Sequence, residues 1–444
     1  MDQQGVRNIG VRVTLAGIGI NLALGVLYAW SVVKANIPAE WGWNDFQKTL
    51  PYSVACLVFA IMMVPAGRAQ DRFGPRWVAL AGGITVGLGL IIASFTTTVM
   101  AFVLGFGVLA GAGIGMGYAA ATPAAVKWFP PRRTGLIAGL VVAGFGLAPV
   151  YISPLANYLI NHFSDKANTG PGVQMTLLIF GIAFLIAVAV LSQLLAVPPA
   201  GWKPAAPASA AAPKPAVDFK WQQMLARPQF YLMWIMYAFA AGAGLMIIAN
   251  LVPIVKLKVG PEAAKYAYLF AAFLAVGNAC GRITAGILSD IIGRRGTMLI
   301  FFLFQAVLMF ILPYATQIWL FVVLSVLLGA NYGANLALFP AATKDFFGLK
   351  NFGVNYGWVF TAWGVGGLVL AQISGLVFDA AKAADKAERI AKGATEAAAA
   401  LAAKGNYTLA YFIAGGCLIA AALILALLKP PAPLPQQQPA PAGA

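Results

Sequence analysis

Charged residues are scarce in this sequence. Only 9% of the 444 residues are Asp, Glu, Lys or Arg, whereas 61% are hydrophobic. An ordinary soluble domain carries roughly 25% charged residues, because its surface must be polar. The composition therefore excludes a soluble globular protein and indicates a chain that crosses a membrane several times.

Side chains that carry out chemistry are also few: one histidine, three cysteines and 13 carboxylates. His162 closes the fifth apolar run, and Cys56, Cys280 and Cys417 lie inside apolar runs without metal or disulfide spacing. All the carboxylates fall in loops or at the ends of runs. An intramembrane enzyme would need a nucleophile and base or a metal cluster. We therefore expect no metal, no cofactor and no enzymatic activity.

The net charge of +16 could indicate nucleic-acid binding, but its distribution along the chain argues against that. Lys and Arg concentrate in every second loop between the apolar runs, counted from the N-terminus. Loops rich in Lys and Arg remain on the cytoplasmic side of a membrane. The sequence thus predicts a multi-pass protein of the cell inner membrane or plasma membrane, with both termini cytoplasmic and no nucleic-acid partner.

Runs of about 20 apolar residues, the length that spans a lipid bilayer, recur along the whole chain. Twelve are predicted, and the first is long enough to remain as a helix. They lie near residues 13–33, 50–67, 78–96, 99–122, 136–160, 174–197, 230–255, 266–288, 298–315, 317–340, 354–378 and 407–428.

A charged motif occurs once in each half of the chain. GRAQDRFGPR at 67–76 and GILSDIIGRR at 286–295 follow the second apolar run of each half and share Gly, Asp, Gly and Arg at the same spacing. A duplicated six-helix unit explains this, and such parallel repeats are typical of secondary transporters that rock two halves about a central site. We predict that the loops act in gating, with the aspartate meeting a neighbouring helix. The predicted gating residues are Gly67, Asp71, Arg72, Gly74, Arg76, Asp290, Gly293 and Arg294.

Arg282 is the only charge between Lys265 and Asp290. On a helix it lies about 12 Å from Asp290, close to half of a hydrocarbon core about 30 Å thick. A guanidinium stays protonated there, and charges at that depth mark substrate or ion paths. The alternative is a structural ion pair or helix cap, but no intramembrane acid is available as its partner. The sequence predicts that Arg282 binds an anion.

Several segments resemble a known family. The two GxxxDxxGxR loops are similar to the signature of the major facilitator superfamily. GVLYAWSVV at 25–33, the glycine-rich stretch 111–135, GR at 281–282 and NFGVNYG at 351–357 resemble the monocarboxylate transporter family and its bacterial oxalate:formate exchanger branch. The resemblance implies an all-α membrane protein with twelve transmembrane helices in two pseudo-symmetric six-helix bundles, the major facilitator fold.

The expected domain boundaries follow the duplication. We predict an N-terminal bundle at 1–198, a Pro/Ala/Lys-rich cytoplasmic linker at 199–228, a C-terminal bundle at 229–429 and a disordered Pro/Gln-rich tail at 430–444. An Ala-, Lys- and Glu-rich stretch at 380–405 is expected to prolong the eleventh helix.

The family resemblance also implies a binding site. The arginine of span eight, here Arg282, would pair with the substrate anion, and aromatic residues of spans one, four and ten would line the same cavity. Tyr28, Tyr118 and Tyr332 match those positions and could donate hydroxyl hydrogen bonds to a carboxylate. From position alone, each tyrosine fits an interfacial or packing role equally well. The other predicted binding residues are Asn278, Asn335, Leu147, Phe339 and Phe360.

Two positions depart from the family pattern. Animal-type monocarboxylate carriers have an aspartate where this chain has Asn278, and the oxalate branch has a lysine in span eleven where it has Trp363. A dianion would meet one cation here instead of two, so we expect a small monocarboxylate such as lactate or pyruvate, carried with a proton. Because no mid-membrane group titrates near neutral pH, the proton would travel on the substrate or through water beside Arg282.

Other functions stay open on the sequence alone. An oxalate:formate-type organic anion exchanger is the alternative within the same family. A non-transporting sensor on the same fold is a further possibility. A channel is disfavoured, because no ring of charges or filter-like loop occurs.

Overall fold

The computed structural model describes residues 8–130, 133–165, 168–199, 202, 218–348 and 351–431. Within these ranges, twelve helices are long and apolar enough to cross a membrane. They are α1 (Gly10–Lys34), α2 (Asp45–Phe73), α3 (Pro75–Ser94), α4 (Val99–Val126), α5 (Gly135–His162), α6 (Gly170–Ser192), α7 (Pro228–Lys258), α8 (Leu269–Ile291), α9 (Gly293–Tyr314), α10 (Ile318–Phe347), α11 (Phe352–Ala391) and α12 (Thr408–Leu427). The predicted all-helical architecture of twelve spans is confirmed.

The two repeated motifs form tight turns between helices. Gly74 joins α2 to α3 with φ of 85°, and Gly293 joins α8 to α9 with φ of 81°. A residue with a Cβ is strained at such positive φ values, whereas glycine is not. The glycine shared by both motifs is therefore explained by the shape of the turn.

Two spanning helices of the first half are interrupted where they meet. In α1, the segment Gly25–Ala29 forms a 3-10 helix, and α5 breaks before Pro149, which has no N–H to donate to the Phe145 carbonyl. A Cβ at Gly25 would lie 2.6 Å from that carbonyl oxygen. The two interruptions thus pack against each other, and the one in α1 carries Tyr28.

Helices α8 and α10 touch through their backbones. A Cβ added at Gly281 would lie 1.9 Å from the Ala330 carbonyl oxygen, and one at Gly333 would lie 2.0 Å from the Asn278 carbonyl oxygen. Small residues at such a crossing allow the closest approach between membrane helices. The seam fixes Arg282 and Asn278 of α8 relative to α10.

Helices of the first six spans contact helices of the last six along three lines. Helix α2 packs along α11, α5 along α8, and α1 against α7. Because successive spans alternate in direction, the helix ends form two faces. We call the face with the ends at Gly10 and Phe73 the terminal face, and the face with the ends at Lys34 and Asp45 the distal face.

The predicted extension of the eleventh helix over 380–405 is found as far as Ala391, where α11 ends. A short helix, Glu396–Ala402, then folds back over the distal face. The ion pair between Lys386 Nζ and Glu396 Oε1, 2.9 Å long, joins the two segments.

Most of the predicted linker and tail, residues 200, 201, 203–217 and 432–444, lie outside the described residues. The end of the linker is described and contacts the last six spans. The Phe219 N–H donates to the Phe347 carbonyl at 3.0 Å, and the side-chain amides of Asn351 and Asn355 donate to the Phe219 carbonyl at 3.0 Å each. Two asparagines of the NFGVNYG segment therefore anchor the chain that leads into α7.

Candidate functional site

Arg282 lies near the middle of α8 and is partly exposed. Its Nε donates to Oδ1 of Asn278 at 3.0 Å, and its Nη1 donates to the Val142 carbonyl of α5 at 3.1 Å. No carboxylate of the described ranges forms an ion pair with it. Both acceptors are uncharged, so the positive charge has no counter-ion and further N–H groups stay free for an anion.

The helix opposite the guanidinium carries a glycine. A Cβ at Gly146 of α5 would lie 3.1 Å from Arg282 Nη2 and 3.3 Å from Asn278 Nδ2. Glycine at this position therefore lets α5 approach the guanidinium and the Asn278 amide closely. The predicted residue Leu147 follows directly and is half-buried.

Tyr28 and Tyr332 meet across the interface between the first and last six spans. Their hydroxyl oxygens are 2.5 Å apart, and Trp363 Nε1 donates to the Tyr332 hydroxyl at 2.8 Å. Tyr28 is 3% exposed and Tyr332 1% exposed. The two hydroxyls are thus occupied with each other and with the Trp363 indole.

Tyr118 of α4 lies beside the Arg282 guanidinium, which acts electrostatically on its hydroxyl. Three rings surround it: Phe59 at 5.3 Å, Phe145 at 5.5 Å and Phe360 at 6.4 Å between centroids. Aromatic rings at these distances form favourable edge and stacked contacts. The result is an apolar wall beside the cation.

A second layer of rings extends from this wall. Phe360 stacks on Trp363 at 5.0 Å and contacts Tyr356 at 5.7 Å. Tyr356 in turn shares a 3.4 Å hydroxyl contact with Tyr237, which stacks on Phe339 at 4.1 Å. Phe360 therefore belongs to the wall, whereas Phe339 lies behind Tyr237, farther from the cation.

Buried amides on α8 and α10 retain unused hydrogen-bonding atoms. Asn335 Nδ2 donates to the Asn331 carbonyl at 3.2 Å. Among the described residues, Asn278 Nδ2, Asn331 Oδ1 and Asn335 Oδ1 have no partner. Buried polar atoms without partners are costly, so ordered water or substrate is the expected partner of such groups. The structure brings Asn278 to Arg282, but Asn335 bonds only within its own helix.

Sequence reasoning missed several aromatic residues of the site: Phe59, Phe145, Tyr237, Tyr356 and Trp363 in its packing role. An apolar ring inside an apolar span carries no signal of its own, since most such residues pack against lipid or other helices. Only Tyr356 stood in a segment with a family resemblance, NFGVNYG. The sequence does not show which residues of distant spans contact each other, so these rings could not be placed beside Arg282.

Comparison with known proteins settles the family. The sequence profile of the Major Facilitator Superfamily matches residues 15–371 and 238–444. The chain belongs to the Major Facilitator Superfamily. It is therefore a transporter of that superfamily and not an enzyme, as the sequence predicted.

Two curated relatives of this transporter carry the names that its motifs suggested. It is 27% identical over 351 residues to the oxalate:formate antiporter of Oxalobacter formigenes, covering 76% of this chain and 77% of that one. It is 25% identical over 420 residues to monocarboxylate transporter 13 of Rattus norvegicus, covering 92% and 86%. The predicted relation to the monocarboxylate transporter family is confirmed.

A solved structure confirms the fold of this transporter. It is 17% identical to a bacterial homologue of the human lysosomal transporter Spinster, with a TM-score of 0.65 and 96% of both chains covered. At that identity the likeness concerns the fold alone.

The first of the two loops predicted to act in gating forms its bonds within its own half of the transporter. Asp71 Oδ1 accepts from Gln70 Nε2 at 2.8 Å and lies 3.6 Å from Lys127 Nζ at the end of α4. Both partners of this ion pair are well exposed, so it contributes at most about 1 kcal/mol. The loop aspartate thus meets a basic group of a neighbouring helix.

Arginines of the first loop lie flat on aromatic rings. The Arg72 guanidinium is 5.3 Å from the Phe73 ring centre, and that of Arg76 is 5.2 Å from the Trp77 ring centre. Phe73 and Trp77 are exposed on the terminal face. Gly67 has open space where a Cβ would stand, so packing does not require glycine there.

The second loop makes a similar link through its arginine. Arg294 Nη1 donates to Asp290 Oδ1 at 2.9 Å and also to the Ser289 hydroxyl, and Nε donates to Asp345 of α10 at 3.2 Å. The ends of the second and fourth spans are therefore tied together in each half. A gating role, in which these ion pairs and hydrogen bonds break and form again during transport, stays a prediction.

Proposed function

We propose that this transporter carries small monocarboxylates such as lactate or pyruvate, together with a proton, by alternating access. One observation carries the proposal. Arg282 holds a positive charge in the middle of a membrane helix with uncharged acceptors only. A charge at that depth costs about 2.5–3.5 kcal/mol on insertion scales. An anionic substrate supplies the missing counter-ion.

Charge matching favours a single carboxylate. The aromatic wall beside Arg282 contributes no second cation, and Trp363 stands where the resembling oxalate branch has a lysine. A carboxylate would take charge-assisted bonds from the guanidinium and a hydroxyl bond from Tyr118. A short acyl chain would then lie against Phe59, Phe145 and Phe360.

Substrate binding would also control the conformational change. Closing the site over an unpaired guanidinium removes it from water at high cost, so the empty carrier resists occlusion. A bound carboxylate removes that cost. The substrate can shift the equilibrium between the open and occluded states only by the difference in its affinity for those two states.

For the proton, we propose a route without a dedicated mid-membrane acid. Among the described residues, the carboxylates lie in loops, near helix ends or on the distal part of α11, and His162 lies at the distal end of α5. The proton therefore travels on the substrate carboxylate or through water beside Arg282. Asn278 replaces the aspartate of the animal-type pattern, which supports this route.

We also propose the orientation and the domain boundaries. The Lys- and Arg-rich loops lie on the terminal face, which supports a cytoplasmic position for that face and for both termini. We propose the same bundles at 1–198 and 229–429, joined by a linker at 199–228 and followed by a tail at 430–444. If the terminal face is cytoplasmic, a protease should reach it only after the cells are opened. Protease accessibility in intact and opened cells therefore tests the orientation.

A proteoliposome assay tests the substrate and the coupling. Labelled formate, acetate, lactate, pyruvate and oxalate are offered with and without an inward proton gradient. We expect uptake of lactate or pyruvate that the gradient stimulates and that makes a weakly buffered external medium more alkaline. Uptake of lactate without proton movement contradicts the coupling, and absence of any monocarboxylate uptake contradicts the substrate class.

The relative named oxalate:formate antiporter favours a second candidate, exchange of organic anions. Counterflow separates the two functions. Liposomes loaded with unlabelled oxalate should drive uptake of labelled formate or oxalate if the chain is such an exchanger. Liposomes loaded with lactate should drive labelled lactate uptake if the first proposal holds.

A further inference from the structure

A buried lysine bonds the two halves of the transporter to each other at the distal face. Lys34, at the distal end of α1, is 2% exposed. Its ammonium group donates to Asp45 Oδ2 at 2.8 Å, to the Thr49 hydroxyl at 2.7 Å and to Oδ1 of Asn250 in α7. An ammonium group has three N–H donors, so all of them are used. The bond to Asn250 crosses from the first six spans to the last six.

The carboxylate of Asp379, in α11, caps a helix of the first half. Its Oδ1 accepts the backbone N–H of Asp45 at 2.9 Å, and its Oδ2 accepts that of Phe46 at 2.9 Å. These are the first N–H groups of α2, which have no partner within the helix and form the positive end of its dipole. Hydrogen bonds to a charged acceptor are stronger than those between neutral groups. The distal end of α2 is therefore held by a charge of the other half.

Further contacts between the halves lie at the same place. A Cβ at Gly375 of α11 would lie 2.7 Å from the Phe46 Cα, so the backbones of α11 and α2 touch here. The Tyr407 hydroxyl, next to α12, donates to Asp45 Oδ2 at 3.1 Å. Helices α1 and α2 thus meet three helices of the other half at one point. We call this group of residues the distal clamp: Lys34, Asp45, Asn250, Asp379 and Tyr407.

The terminal face has no such clamp among the described residues. The other hydrogen bonds between the halves that involve described span residues are those of Lys256 with Ala35 and Asn36 and, deeper in the membrane, Tyr28 with Tyr332, Tyr52 with Leu245 and Arg282 with Val142. None of them lies at a helix end on the terminal face. The two repeated loops on that face form their ion pairs within their own halves. The structure is therefore closed by polar bonds on the distal side only.

We propose that Asp379 is a gating residue of this transporter. Its bonds to the first N–H groups of α2 keep the distal face closed, and their loss shifts the empty protein toward a state that is open at that face. The proposal rests on the alternating access of the proposed function, in which the two halves rock against each other. It does not depend on which substrate is carried or on a proton.

Opening of the distal face must break the bonds that cross between the halves. Lys34 keeps Asp45 and Thr49, which belong to its own half, but loses Asn250. The Asp379 carboxylate and the two N–H groups of α2 are then left to water. Because water replaces part of what is lost, the clamp stabilises the closed state by much less than its bonds are worth in isolation. Among these bonds, those of Asp379 join an ionised group to a helix dipole and are expected to contribute most.

The distal clamp and the substrate site lie on the same helices. Helix α2 carries Asp45 at its distal end and Phe59 in the aromatic wall, and α11 carries Asp379 and Trp363. The Phe59 and Trp363 rings are 5.1 Å apart, so α2 and α11 contact each other both at the clamp and beside the site. Separation of these two helices at the clamp therefore opens the wall toward the distal side. Asp379 acts on access to the site without touching the substrate.

Spin-label distances across the distal face test the proposal without substrate or gradient. Labels are placed by Thr97→Cys and Glu262→Cys, in exposed distal loops of the two halves. Cys280 and Cys417 are replaced by Ser, and the buried Cys56 is kept. Distances are measured in lipid nanodiscs at neutral pH. We expect the unmodified protein to show mainly the short distance of the closed distal face.

Two variants locate the effect. Asp379→Asn keeps the size of the side chain but removes its charge and turns N–H donors toward α2, so the ratio of long to short distances should rise about tenfold or more. Asp385→Asn is the matched control on the same helix, because Asp385 bonds Arg389 and Lys404 of its own half. Its ratio should stay within about twofold of the unmodified protein, as expected for an ion pair near the surface. If Asp379→Asn does not fold, Asp379→Ser removes the same carboxylate and gives the same comparison.

Two results would overturn the proposal. One is a mainly long distance in the unmodified protein, which needs no variant and would show that the clamp does not hold the face closed. The other is a folded Asp379→Asn variant, monodisperse on size exclusion, with the same distances as the Asp385→Asn control. A protein that takes up no monocarboxylate but gives the expected distances would contradict the proposed substrate and support the gating role.

Discussion

The hydroxyl oxygens of Tyr28 in α1 and Tyr332 in α10 are 2.5 Å apart. This contact joins the two halves of the transporter close enough to Arg282 for the guanidinium to act electrostatically on Tyr28. It also occupies the two hydroxyl groups that were predicted from the sequence to bind the substrate. The carboxylate in this state is therefore expected to bind through Arg282 and Tyr118, and the tyrosine pair to act as a closure.

The tyrosine pair predicts a non-additive mutational effect. Tyr28→Phe and Tyr332→Phe should each reduce lactate uptake, because either change removes the same hydrogen bond, worth about 0.5–1.5 kcal/mol. The double variant should be no worse than the poorer single variant. Uptake rates of the three variants in proteoliposomes measure this, and losses that multiply in the double variant would contradict a shared bond.

Trp363 predicts a change in charge selectivity. Trp363→Lys should raise the ratio of oxalate to lactate uptake by about tenfold, since a second cation near Tyr332 attracts a second carboxylate. Trp358→Lys is the matched control, because Trp358 lies on the same helix but stacks on Trp221 at the terminal face. An equal ratio in the two variants would show that charge at position 363 does not select the substrate.

Asn278 predicts a change in pH dependence. In Asn278→Asp, the introduced carboxylate would pair with Arg282 where it is ionised and compete with the substrate. Lactate uptake should therefore fall at neutral and alkaline pH and recover in acid, where the carboxylate is protonated. Uptake is measured from pH 5 to pH 8 at equal pH on both sides. A profile equal to that of the unmodified chain would argue that residue 278 does not act on the guanidinium.

The backbone seam between α8 and α10 predicts a large loss of stability. Gly281→Ala places a methyl group where the Ala330 carbonyl stands, so α8 and α10 must separate at a cost of more than about 3 kcal/mol. Gly286→Ala on the same helix meets open space and should be neutral. Thermal unfolding in detergent compares them, and equal melting temperatures would contradict the seam.

How far the sequence predicts this structure depends on the kind of signal. The spans were predictable because a bilayer demands long apolar runs, and the loops because Gly74 and Gly293 repeat the same turn. Arg282 was visible as a lone charge. Phe59 and Phe145 were not, because an apolar ring inside a span resembles any packing residue.

The bonds that Lys34 and Asp379 form between the two halves at the distal face were not predicted, for a related reason. Lys34 and Asp379 stand at the ends of apolar runs, where a charge ordinarily meets water or lipid headgroups. Only the packing of α2 on α11 and of α1 on α7 brings Lys34 and Asp379 close together and buries Lys34. Contacts between distant spans carry no local pattern, so the structure was needed to find them.

Lactate binding and uptake by variants of Arg282 test the central claim most directly. Arg282→Ala should insert and fold but lose lactate uptake by about a hundredfold or more, and Arg282→Lys should keep a weak activity because it retains the charge without the fork of N–H groups. Arg12→Ala, which removes an exposed arginine near the terminal end of α1 and outside the two repeated loops, is the control and should transport normally. Robust lactate uptake by Arg282→Ala would contradict the account.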